Sequence, residues 1–220
     1  MTNFVVSSRS RFARNFILVE NNSFRSSQLT RSAGTLAATF PKPYKMTIQE
    51  LLKDKTKKAK EKTETISNWL LDGSMPTDEL IVFAENSKDS EKATCIEAFE
   101  YATQKSPEIA DESVLEFATK MLEENAPRVK WESAKVIANI ANRFPEKLDV
   151  PIRKLLANSN YDGTVVRWAT AYALGEILKL KTKHNESLMP KMELLSERET
   201  ENGVKKKYLD AIKKTKKGSH

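Results

Sequence analysis

Glycine is scarce in this chain, with six in 220 residues. A β-sandwich or barrel needs glycine for turns of positive φ, so a β-rich fold is excluded. There is one cysteine, Cys95, and therefore no internal disulfide. Cys95 stands in an apolar helical pattern and reads as a buried, inert thiol. That fits a reducing compartment, and a cytoplasmic location is expected. The two histidines, His184 and His220, form no Cys/His cluster at zinc spacing. His184, in the stretch Lys181–Asn185, reads as a solvated linker residue. No Gly-rich phosphate loop and no Gly-x-Ser-x-Gly elbow occur, so the sequence offers no familiar catalytic constellation. No run of about 18 apolar residues occurs, so no membrane-spanning helix is expected. No cofactor or metal is expected either.

Lys, Glu, Ala and Leu, all strong helix formers, are abundant. The net charge is +7, but it is unevenly spread. Residues 1–45 hold seven basic residues and one acid, and residues 203–220 repeat that balance. The intervening body is mildly acidic, which argues against a chain built to wrap a nucleic-acid duplex.

Residues 1–45 are Ser- and Arg-rich and lack sustained periodicity. They read as a non-core extension: a disordered tail, a transit-like leader, or a stretch outside the native protein. An ordered domain is expected from Met46, because Thr47-Ile48-Gln49-Glu50 has the form of a capping box, with Met46 and Leu51 at staple positions. Residues 46–87 read as N-terminal capping helices, 88–217 as repeats and 218–220 as a tail.

The repeat rests on Val166-Arg167-Trp168, with Ala171 and Leu174 after it. Thirty-seven residues earlier stands Val129-Lys130-Trp131, with Ala134 and Ile137. Weaker copies start at Glu91-Lys92 and Val204-Lys205, each 38 residues out, and both lack the Trp. Second helices lie between the copies. Ser106-Pro107 is expected to open one, and Phe144-Pro145 leads to another. A first helix is expected over about Thr164 to Lys181. Along 128–144 apolar residues cover most of the helix circumference, which requires neighbours on several sides. Helix pairs at this period, unable to bury their apolar faces alone, must stack.

In Pro127 and Arg128 to Ile137, and in Asp162 with Val165 to Leu174, the chain resembles HEAT repeats. The resemblance implies an all-α, right-handed α-α superhelix, a HEAT-like or armadillo-type solenoid, of about four helical hairpins. It implies a scaffold or adaptor that binds a protein or peptide along its second helices. A monomer is expected. Helical-repeat DNA glycosylases, which use Trp residues and a carboxylate facing a groove, are the alternative the architecture allows. Against them, neither Trp131 nor Trp168 has an acid one turn later, and Glu132 should point about 100° away from Trp131.

The candidate partner-binding residues are Trp131, Trp168, Arg128, Lys130, Arg167, Lys205 and Lys206. The two Trp residues either fill the wide ends of helix-packing rows or form an exposed aromatic strip, where Trp is a favoured hot-spot residue. Lys130 and Arg167 either tie down a neighbouring turn, with Asp162 a partner for Arg167, or meet an acidic ligand. Lys205-Lys206-Lys207 and Lys213–Lys217 form a basic end that is either a solvated helix or an attraction for nucleic acid or an acidic protein.

Overall fold

The computed structural model describes residues 46–217, all of its regular elements being helical. The readings of 1–45 and 218–220 fall outside the described residues. Helix α1 spans Ile48–Lys53 and opens on Thr47, whose side chain and that of Glu50 cap each other's backbone as a capping box. Helix α2 (Ala59–Leu71) ends at Gly73, whose φ of +72° suits a residue without Cβ. Helix α3 is Thr77–Glu85. There follow α4 (Asp89–Lys105), α5 (Glu112–Met121), α6 (Pro127–Ile140), α7 (Asp149–Asn158), α8 (Thr164–Lys179), α9 (Asn185–Arg198) and α10 (Asn202–Lys217).

The helices form two layers. In the first, α2, α4, α6, α8 and α10 each pack along the next. In the second, α3, α5, α7 and α9 touch one another sparingly and pack mainly on the first-layer helix that follows them. The hairpins in contact are thus α3–α4, α5–α6, α7–α8 and α9–α10, four in a row, an α-solenoid. The sequence dictates the layering. In α6, Val129, Ala134, Val136, Ile137 and Ile140 are all buried, as are Val166, Ala171, Leu174 and Leu178 in α8. Each of these helices has neighbours on both flanks and a second-layer helix behind. The second-layer helix α5 is more strongly one-sided, burying Val114, Leu115, Phe117, Ala118 and Met121.

Two helix starts differ from expectation. Ser106 ends α4, and Pro107–Ile109 makes a single 3-10 turn. Ala110 is then extended, and Asp111 caps α5 by accepting from the Val114 amide at 3.2 Å. Pro145 likewise begins only a 3-10 turn before α7. Proline fixes φ and removes a donor, which suits one turn; in α5 a carboxylate cap wins where the apolar run begins, whereas α7 starts after Leu148 without a side-chain cap. His184 is also corrected. It is 6% exposed, with Nε2 at 3.1 Å from the Pro145 carbonyl oxygen and Nδ1 at 3.3 Å from the Asp149 carboxylate. It therefore ties the start of α9 to the turn before α7 instead of standing in solvent. Among the described residues no helix is long and apolar enough to cross a membrane.

Candidate functional site

The repeat period aligns side chains across the first layer. Across α4, α6, α8 and α10 the register gives three rows: Ala93, Trp131, Trp168 and Lys206; Glu97, Lys135, Tyr172 and Asp210; Tyr101, Asn139, Glu176 and Lys214; Ala93 is buried, and the other members are half-buried or exposed. Successive rows are four residues apart, so each stacks one helical turn above the last. Trp131, Trp168 and Tyr172 are half-buried there.

Polar contacts join the rows between helices. Glu97 accepts from Thr63 of α2 at 2.9 Å and from Arg128 of α6 at 2.7 Å. Asn139 donates to the Glu100 carbonyl and to the Thr103 hydroxyl of α4, each at 3.1 Å. At the centre, Lys135 bridges two buried carboxylates, Glu100 at 3.3 Å and Glu132 at 3.1 Å. Burial pushes the Glu100 carboxyl above the usual carboxylate range, and Lys135 only partly opposes it. Burial alone would lower Lys135, but Glu132 and Glu100 together hold it above its ordinary value.

The Trp131 indole N–H donates to Glu132 Oε1 at 2.7 Å. The expectation that adjacency would keep these two apart was wrong. A long carboxylate leans along the helix surface and an indole nitrogen lies far from its Cα, so the 100° between Cβ directions is bridged. On α8, Trp168 and Tyr172 stack with centroids 5.8 Å apart. Burial raises the Tyr172 hydroxyl, and Glu176 and Glu100 raise it further.

The other candidate residues lie elsewhere. Lys130 is buried and donates to the Leu122 carbonyl at 2.7 Å and to Asn158 at 3.2 Å. Desolvation lowers its ammonium below the usual lysine value. Arg167 donates to the carbonyls of Tyr161 and Asp162 and to both oxygens of Glu199. The hydrogen bond to Glu199 holds its guanidinium above the ordinary value. Lys92, at the equivalent place in α4, pairs with Glu124 at 3.0 Å. In α4, α6 and α8 the repeated cation thus fastens its helix to nearby inter-helix turns and does not join the aromatic face. Arg128 does join it, through Glu97. Lys205 is half-buried and Lys206 exposed on α10. Lys135 and Tyr172 stand one turn after the two Trp residues, where the sequence was searched for an acid alone. Glu100 gave no signal at all, since it comes from the neighbouring helix.

The second-helix face is of another kind. Between α5 and α7 lies a cavity of about 270 Å³ over Leu115, Val150 and Pro151, with Glu112 and Lys147 paired at its edge. Among the described residues no group of His, Cys, Asp and Glu could hold a metal ion.

No protein-family model matches the chain, and no curated protein matches it. Among solved structures it is similar to a designed armadillo repeat protein, YIII(Dq.V1)4CPAF, in complex with peptide (KR)4. The identity is 14% over 76% of this chain and 97% of that one, with a TM-score of 0.45.

Proposed function

We propose that the chain is a non-enzymatic solenoid adaptor, and that it binds a protein or peptide segment laid across the outward face of its first helices. The observation that carries this reading is the recurrence of half-buried aromatic side chains at register-equivalent places on adjacent helices. Trp131 sits on α6 and Trp168 with Tyr172 on α8, flanked by the Glu100–Lys135–Glu132 cluster. Partly exposed Trp and Tyr are the side chains that most often anchor an interface. Neighbouring helix axes lie about 8–10 Å apart, and an extended chain advances about 3.3 Å per residue. A segment crossing the helices would therefore meet one station about every third residue. The second helices, the surface expected from the resemblance, offer aliphatic cavities without an aromatic anchor, and this moves the reading to the first-helix face.

The nucleic-acid alternative draws on the same aromatics, with Glu132 against Trp131. From α4 to α8 this face lacks a free basic stripe, since Arg128 and Lys135 are engaged by Glu97, Glu100 and Glu132; its exposed cations, Lys206 and Lys214, stand at the α10 end.

The test is selection of peptides from a random library on the full chain, followed by calorimetry. Trp131→Ala and Trp168→Ala should weaken the selected peptides at least about fivefold, the effect of losing a minor hot spot or more. Val150→Ser, on the opposite face, should leave affinity unchanged. Peptides that bind the Trp variants as well as wild type would end the reading. Low-salt binding of duplex DNA that Trp131→Ala removes would establish the alternative instead.

A further inference from the structure

On the reading just given, the Trp168–Tyr172 pair also says what kind of group a partner brings. The two rings are nearly parallel, at 19°, and offer one joint face towards α10. That face is occupied. Lys207 of α10 holds its Nζ 4.6 Å from the Trp168 ring centroid and 5.6 Å from that of Tyr172. The negative face of an aromatic ring attracts a cation, more strongly for Trp than for the other side chains. Acids gather at the same place. Glu176 and Asp210 line a cleft of about 100 Å³ between α8 and α10, beside Tyr172 and Lys207. Glu176 is paired with Lys179. Asp210 takes no hydrogen bond or ion pair from any described residue, and Lys207 itself reaches no carboxylate. A long, flexible ammonium that has Asp210 on its own helix nonetheless lies over the rings.

We propose that Trp168 and Tyr172 form a cation-binding station, that Lys207 is its resident intramolecular occupant, and that a partner engages by seating an arginine or lysine side chain there in its place. Asp210 is then the counter-charge for the incoming group. The resident lysine makes the site self-competing. A ligand must displace a contact already made, and a chain without that contact binds more tightly. A resident cation at an exposed aromatic site is worth roughly a twofold to fivefold change in affinity.

The test is calorimetric titration of the full chain with an eight-residue peptide of alternating arginine and serine, against its glutamate-serine counterpart. Lys207→Gln should tighten the arginine peptide about twofold to fivefold, and Asp210→Asn should weaken it. Lys213→Gln removes the same charge from an exposed site on α10 and controls for general attraction; it should change affinity less. Equal gains from Lys207→Gln and Lys213→Gln would overturn the inference. So would weaker binding by Lys207→Gln, preference for the glutamate peptide, or no binding of the arginine peptide. Each of these leaves the library test of the preceding reading standing, whereas failure of Trp131→Ala and Trp168→Ala to matter there removes both. Lys207 is half-buried, and an unchanged melting temperature will show that Lys207→Gln folds.

Discussion

At Gly175 a hydrogen stands where any other residue would place a Cβ, 2.9 Å from the Cβ of Ala211. A single missing atom thus sets how closely α8 and α10 approach, and with it the position of Lys207 over the rings of α8. Gly in a helix interior costs about 1 kcal/mol relative to Ala, so Gly175→Ala should stabilise an isolated helix. Here the obstacle is the Cβ of a neighbouring helix and cannot swing aside. Overpacking of this sort costs about 1–3 kcal/mol. We expect Gly175→Ala to lower the urea midpoint, a net loss of about 1 kcal/mol. Gly203, with nothing within 4 Å of an added Cβ, is the matched control, and Gly203→Ala should be neutral or stabilising. An unchanged or raised midpoint for Gly175→Ala would show slack between α8 and α10. The identity of Gly175 was plain in the sequence, but its reason was not. The atom that demands it belongs to Ala211, thirty-six residues away.

Helix periods were legible from local pattern, whereas two helix starts were not. Ser106-Pro107 has the form of a helix opening, yet α5 opens at Asp111, where the carboxylate takes the Val114 amide. The two positions compete for the same role within six residues, and only the packed position of Val114 and Leu115 decides between them. Losing an N-cap carboxylate costs about 1 kcal/mol. Asp111→Ala should therefore destabilise by about that much in urea unfolding, and Ser106→Ala by clearly less. The reverse order would place the working cap at Ser106. The pairing of elements was hidden too. The sequence shows first helix, turn, second helix, turn, and does not say which side of each second helix its partner lies on. In the folded chain α5 lies mainly on α6 and α7 on α8, so each second helix belongs with the first helix that follows it.

A stack in which each pair touches only its neighbours should not unfold as one piece. Stability in such an array is a sum of unit and interface contributions, and the ends open first. Val204 is fully buried where α10 closes the stack. Val204→Asp should therefore strip hydrogen-exchange protection from α9 and α10 and part of α8, while α4 and α6 keep theirs. Uniform loss along the chain would mean a globular, all-or-none core instead of a solenoid. The sequence by itself determined the all-helical class, the 37 to 38 residue period and the stacking, because these follow from local propensity and from apolar faces that no single hairpin can cover. It also determined that Trp131 and Trp168 are equivalent. Only the tertiary structure decided which cations fasten turns and which face outward, and which carboxylate stands beside which indole. Those choices depend on distances between helices, and a one-dimensional pattern sets the direction of a side chain without saying what it meets.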